Sequence, residues 1–307
     1  MQGTTSSKKS YYFHNKYLCI VNPNAGSRFF KKKQIRFIHF LKSQPNVNLL
    51  IWEIKQDLNE IKNKIQEHEY IIVIGGDGTV NEISKFLIGT NKKLGIIPLG
   101  SGNGLARTLG IPLNPYKAWA HILNCNPISI DVGFVNDYLF LCTSGIGFDA
   151  EVAHLFNQSK NRGLWMYLKV IAIQIFIYKS KLIEFTFDNK TIKKNVFLFT
   201  CANAGQYGNN FYIAPNAKLD DGNLDLVVIS KLNPLKSFLV LFQLIIKSDL
   251  HNNYLIQRYR VKRITVSSKQ LLKLHIDGDS CSPDKYFLYT IKPCLLYTSD
   301  AADEGLG

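Results

Sequence analysis

Between Tyr70 and Glu82 the chain reads YIIVIGGDGTVNE. Tyr70 to Ile74 has the pattern of a buried strand, and it runs without a spacer into Gly75-Gly76-Asp77-Gly78-Thr79 and then the helix-opening Val80-Asn81-Glu82. A glycine turn that delivers a strand into a helix start constrains a fold strongly. Free N–H groups and the positive end of the helix dipole then face any anion at the strand end. The three glycines are expected to adopt positive φ and to let the backbone approach a ligand closely. A lone carboxylate in such a place would repel phosphate, so Asp77 reads as a metal handle or a proton acceptor, with helix capping as the alternative.

Two further glycine loops follow strand-like runs. Asn22-Pro23-Asn24-Ala25-Gly26-Ser27 follows Tyr17–Val21, and Pro98-Leu99-Gly100-Ser101-Gly102-Asn103-Gly104 follows Leu94–Ile97. Strand ends are where open α/β sheets bind their ligands. Strand and helix patterns alternate from Tyr17 to about Asn126, with helices expected at 30–41, 58–65 and 80–87, which predicts a largely parallel sheet with helices on both faces. From Ile128 onward the chain shows short strand-like runs separated by turns, the pattern of a β-sandwich or a curled antiparallel sheet. Two apolar helices interrupt it, Leu164–Tyr178 and Pro234–Ile246. Lys169 breaks the first and the second is too short to span a bilayer, so both read as core helices. The domain reading is therefore a leader at 1–16, an α/β domain at 17–127, a β-rich domain at 128–293, and 294–307.

That last stretch, from Cys294-Leu295-Leu296-Tyr297 to Asp303-Glu304, looks like a translated sequencing adapter and carries no weight in the fold reading. Removing its acids Asp300, Asp303 and Glu304 from a formal net charge of +14 leaves +17 for the rest. Such a surface suits an acidic partner, and no nucleic-acid-binding signature accompanies the charge, so a lipid surface is the better match. Six cysteines make no C-x-x-C pair and read as reduced thiols of a cytoplasmic protein. The seven histidines form no ligand pattern. The leader has no apolar core of a secretory signal.

Together these loops resemble the diacylglycerol kinase catalytic domain shared by bacterial lipid kinases, sphingosine kinases and ceramide kinases. Ser144-Gly145-Ile146-Gly147-Phe148-Asp149-Ala150, Ala214–Gly222 and Asp277-Gly278-Asp279 extend the resemblance in family order from Tyr17 to Asp279. It implies an NAD kinase/diacylglycerol kinase-like fold, a three-layer α/β nucleotide-binding domain followed by a β-sandwich-like domain. It also implies an ATP- and Mg²⁺-dependent lipid kinase. The ATP site is expected from Asn22, Asn24, Gly75, Gly76, Asp77, Gly78, Thr79, Gly100, Ser101, Gly102 and Asn103; no Walker-type lysine loop is present. Asn22 and Asn24 read equally well as Asx-turn residues. Asp279 stands where the family has the glutamate of Asp-Gly-Glu and is the first candidate for general base, with Asp77 the competitor. Alone, Asp277-Gly278 would read as a hairpin turn.

By the same resemblance a structural Mg²⁺ is expected on Asp221 with the carbonyls of Leu224 and Leu226, against a plain acidic turn. Asp149 is a candidate for the lipid head group, or a buried turn acid. Gly104 stands where many bacterial diacylglycerol kinases have an aspartate, a departure toward the sphingosine kinase loop. The reading is thus a phosphotransferase acting on a diacylglycerol- or sphingoid-type lipid, peripheral to an anionic membrane, with a homodimer as a candidate assembly and no nucleic-acid partner. The basic face of the first helix, Lys31, Lys32, Lys33 and Arg36 with Arg28 before it, reads equally as a membrane contact and as an ordinary solvated face. An NAD kinase, or a catalytically silent lipid- or nucleotide-binding regulator, is the alternative.

Overall fold

In a computed structural model of the chain, residues 17–23, 25, 31–52, 58–159, 164–230, 233 and 256–298 are described. Asn24, Arg28 and the helix expected at Pro234–Ile246 lie outside them. The chain divides into two compact units, one of residues 1–100, 109–129 and 295–307, the other of 101–108 and 130–294.

The first unit grows from strands that are apolar along their whole length. β1 (Tyr17–Val21) and β3 (Tyr70–Gly75) are buried on both faces, which is why neither alternates in polarity. With β2 (Val47–Ile51) and β4 (Lys93–Pro98) they form a parallel sheet in the order β2-β1-β3-β4, in which Cys19 faces Leu49 and Ile72 while Ile72 faces Gly95. The connecting helices are α1 (Lys31–Lys42), α2 (Leu58–Gln66) and α3 (Asp77–Ser84). Phe37, Leu41, Ile61 and Ile65 bury their apolar faces, at the spacing that the 3.6-residue period requires. Beyond β4 the short α4 (Gly104–Thr108) belongs to the second unit, whereas α5 (Pro115–Asn124) returns to the first, capped by Asn114, whose side chain accepts from the amides of Tyr116 and Lys117.

The second unit is antiparallel. β5 (Pro127–Val135), β6 (Tyr138–Phe140) and β7 (Thr143–Gly147) lead into α6 (Phe148–Gln158) and α7 (Leu164–Ile177). Then come β8 (Lys181–Phe187), β9 (Lys190–Ala202), the small β10 (Gln206–Gly208) and β11 (Phe211–Tyr212), β12 (Leu224–Ser230), β13 (Ile256–Val261), β14 (Arg263–Ile276) and β15 (Asp279–Thr298). The long β9 and β14 are each paired at one end by β7 and at the other by β8, so the sheet curls back on itself. β12 shows how its two faces are covered: Leu224, Leu226 and Val228 enter one apolar cluster with Phe140, Phe185, Phe199 and Phe287, while Val227 and Ile229 enter another with Phe148, Val152, Val170 and Ile175 of α6 and α7.

Several boundaries differ from those expected. α6 follows β7 where only a glycine-rich motif is legible, and the runs at 263–266 and 271–276 are one strand with an irregular register between Ser267 and Leu274. β15 continues through Thr298, with Leu295 buried and Leu296 and Tyr297 paired parallel to Lys93 and Leu94 of β4. α7 is a core helix on one face only. Val170 and Ile175 are buried, whereas Trp165 is 86% exposed and Phe176 73%. Among the described residues no helix is long and apolar enough to cross a membrane.

Candidate functional site

The turn after β3 is built by close approach, not by unusual backbone angles. None of Gly75, Gly76 and Gly78 has positive φ. A Cβ on Gly75 would lie 2.8 Å from the Thr79 side chain, and one on Gly76 would lie 3.0 Å from the Cα of Gly100. Glycine is required because two backbones and a threonine occupy the space a side chain would need. α3 begins at Asp77, three residues ahead of the expected Val80, with Gly76 as N-cap and no side-chain cap. Asp77 is therefore the first-turn acid of the helix and not its cap, an arrangement the helix dipole favours. The amides of Gly78 and Thr79 lie in the first turn, where a helix offers no carbonyl of its own to bond.

Asn22 reaches this turn from β1. Its side-chain amide donates to Thr79 Oγ1 at 2.9 Å, its backbone N–H to the Ile74 carbonyl at 3.1 Å, and its own carbonyl accepts from Gln34. Thr79 is buried, so its hydroxyl is oriented by Asn22. Asn22, Thr79, Gly75, Gly76 and Gly100 are thus brought together, and Asn24 lies outside the described residues.

In the second unit Ser101 is exposed and Asn103 is buried in the left-handed region, φ 52°. Asparagine tolerates that region better than most side chains, which explains its place between two glycines. Gly102 packs backbone to backbone on Gly208: a Cβ on Gly208 would sit 3.0 Å from the Gly102 Cα. Arg107 Nε and the Asn209 amide both donate to the Gly102 carbonyl. Arg107, Gly208 and Asn209 thus hold the loop, a role that spacing along the chain does not reveal.

Asp277 and Gly278, with φ of 49° and 86°, form the two-residue hairpin between β14 and β15, and Ile276 pairs with Asp279. The hairpin and the motif are the same object. Asp277 also does something that its place in a turn does not predict: its carboxylate accepts from the amides of Leu141, Cys142 and Thr143 at 2.8–3.0 Å. Asp279 follows as an exposed residue at the start of β15.

Asp149 is buried in the first turn of α6. Its carboxylate accepts from Thr200 Oγ1 at 2.5 Å and Tyr207 at 3.2 Å, and lies 3.0 Å from His275 Nε2. A carboxylate only accepts, so Nε2 carries the proton, and the buried Nδ1 is left without a partner. Burial and the neighbouring Asp149 charge push the Tyr207 hydroxyl well above its ordinary range, which keeps it a donor. A lone histidine in a strand gives no signal along the chain, so His275 is legible only in the folded structure.

Asp221 lies in a turn closed by Gly222 at φ 68°. Its carboxylate accepts from the Asn223 amide at 2.9 Å and pairs with Arg260, while Gly222 N–H donates to Asp131. Leu224 and Leu226 open β12, opposite Val261 and Tyr259 of β13. Burial pushes the Asp131 carboxyl up, aided by Asp221 and Asp220; burial also raises Asp225, with Asp221 adding to it and Arg260 and Arg258 opposing. Among the described residues no three His, Cys, Asp or Glu converge on one point. The donors are all oxygen, and the buried Asp225 Oδ2 has no hydrogen-bond partner. Such a set fits a hard divalent cation in charge and type.

Comparison with known proteins identifies the family and the two domains. Residues 16–135 match the diacylglycerol kinase catalytic domain, and residues 143–296 match the YegS C-terminal NAD kinase beta sandwich-like domain. A diacylglycerol kinase of Bacillus subtilis is 27% identical over 269 residues, covering 85% of this chain and 88% of that one. A probable YegS-like lipid kinase of Chromohalobacter salexigens is 29% identical over 222 residues, 70% of this chain and 71% of its own. The crystal structure of a putative diacylglycerol kinase from Bacillus anthracis superposes with a TM-score of 0.73 at 24% identity, over 94% of this chain and 98% of that one, and so supports the fold. The chain belongs to the diacylglycerol kinase family of lipid kinases, with an N-terminal catalytic domain and a C-terminal β-sandwich-like domain.

Proposed function

We propose that this protein transfers the γ-phosphoryl group of ATP, with Mg²⁺, to a hydroxyl of a diacylglycerol- or sphingoid-type lipid at a membrane surface. The observation that carries the reading is the turn Gly75–Thr79, where glycine is required by close packing and the only carboxylate is a first-turn acid. Phosphoryl transfer asks a protein mainly to position two substrates and neutralise charge. Amides at the start of α3 and the oriented Thr79 hydroxyl would meet phosphate oxygens, and Asp77 would hold the nucleotide's metal. Asp279 would take the proton of the attacking hydroxyl, and Asp149 would face the lipid head group. Asp221 with the carbonyls of Leu224 and Leu226 would hold a structural Mg²⁺, which supplies charge neutralisation to that acidic turn. The names of the relatives, diacylglycerol kinase and probable lipid kinase, support the same class of acceptor.

The test is incubation with γ-labelled ATP and a panel of diacylglycerol, sphingoid base, ceramide, undecaprenol and NAD in detergent micelles. Label in a lipid is expected. Label in NAD, or in none of the lipids, overturns the reading.

A further inference from the structure

Thr200 of β9, Gly145 of β7 and His275 of β14 lie side by side in one row across three strands. Side chains in such a row share a face, and the middle one is missing. A Cβ on Gly145 would lie 2.5 Å from Asp149 Oδ2. Gly147, at φ 114°, is the N-cap of the helix that carries Asp149 over this gap. Oδ2 there gathers Thr200, Tyr207 and His275, while Oδ1 accepts from the Ala150 amide at 2.8 Å and remains the edge for a head group. As a support for the core alone the cluster is a poor one. His275 Nδ1 is buried without a partner, and an unmade hydrogen bond is costly.

We propose that Asp149, His275 and Tyr207 form a strut between the Ser101–Asn103 loop and the Asp277–Asp279 hairpin, with His275 and Tyr207 as positioning residues at its two ends. All of these segments belong to the second unit. Toward the hairpin, α6 meets β14 and its turn three times. Asp149 pairs with His275, Glu151 with Lys273 at 2.8 Å, and Asn157 Nδ2 donates to the Gly278 carbonyl at 3.4 Å. His275 stands two residues before Asp277, whose carboxylate holds the amides of Leu141, Cys142 and Thr143, and four before Asp279. Toward the loop, Tyr207 precedes Gly208, which packs on Gly102, and the Asn209 amide donates to the Gly102 carbonyl. Phosphoryl transfer depends on holding donor and acceptor in line, and a small misplacement is costly. The inference rests on the kinase reading for its kinetic consequence alone, since the strut is a property of the fold.

The experiment compares full-length variants by hydrogen–deuterium exchange without ligands and by kinetics in micelles. Val196→Ala, a buried change elsewhere in β9, controls for lost stability alone. Asp149→Asn should speed exchange at least ~5-fold both at the amides of Leu141–Thr143 and at Asn209. His275→Leu should do so at Leu141–Thr143 and Tyr207→Phe at Asn209, while His275→Gln, whose Nε2 still donates, restores the wild-type pattern. In turnover, His275→Leu should lower kcat about 10-fold with KM for ATP within about twofold. Tyr207→Phe should raise KM for ATP about 5-fold with kcat within about twofold. Unchanged exchange at both ends in Asp149→Asn, or equal changes in Val196→Ala, overturns the strut. So does a parallel shift of kcat and KM in both end variants. Should His275→Leu fail to fold, Asp149→Asn and Tyr207→Phe decide. No phosphoryl transfer by wild type would instead overturn the kinase reading, with exchange still deciding the strut.

Discussion

Asp277 and Asp279 are two residues apart and separable by experiment. Asp277 accepts three backbone amides and belongs to the scaffold, whereas Asp279 is exposed at the mouth of the hairpin. Asp277→Asn removes the charge that strengthens those bonds and should lower stability by about 1–3 kcal/mol in denaturant unfolding. Asp279→Asn should leave the unfolding curve in place and lower kcat about 10²–10⁴-fold, while Asp279→Glu keeps or raises it. A tolerated Asn at 279 would move the base role to Asp77. Asp77→Asn should lower kcat by about 10²-fold or more at a stability cost of no more than about 1 kcal/mol, since Gly76 caps α3 and only the dipole interaction of Asp77 is lost. Near-normal turnover would reduce Asp77 to a dipole-favoured surface acid.

At the scale of elements, the turn before β12 is where the proposed cation would compete with protons. Asp131 and Asp225 have carboxyls raised in the folded protein. For a raised acid the stabilising contribution is complete below the unfolded value, near 4, and is lost as pH rises through the folded value. Without metal this turn therefore weakens the fold on going from acid to neutral pH. A divalent cation bound there, as proposed, would oppose that loss, so millimolar Mg²⁺ at constant ionic strength should raise the melting temperature more at pH 7.5 than at pH 5. Asp221→Asn should abolish the difference. An equal shift at both pH values, or one that survives the substitution, would leave this a plain acidic turn held by Arg260.

For the whole molecule, the net charge of +14 would supply a long-range attraction to an anionic surface. Lys31, Lys32 and Lys33 open α1 and Arg36 on it is exposed. Basic residues near an anionic surface contribute about 1 kcal/mol each, and screening shortens to about 3 Å at 1 M salt. A Lys31/Lys32/Lys33→Gln variant should bind anionic vesicles at least ~10-fold more weakly at low salt and like wild type at 1 M salt. Equal binding by both proteins at low salt would make this an ordinary solvated face.

What the sequence alone determines is local. The strands β1, β3 and β12, the glycine loops at strand ends, the change from a parallel to an antiparallel half and the Asp-Gly hairpin are all legible, because period, glycine and turn chemistry act over a few residues. Even there the reason for a glycine was not: Gly75 and Gly76 answer to Thr79 and Gly100, not to their own φ. Only the tertiary structure sets His275 against Asp149, 126 positions away, and Arg260 against Asp221. It likewise leaves Trp165 and Phe176 exposed on a helix whose composition implies burial on every side. A side chain's apolarity states that it favours leaving water; whether a neighbour is there to receive it depends on how many surfaces the rest of the fold supplies.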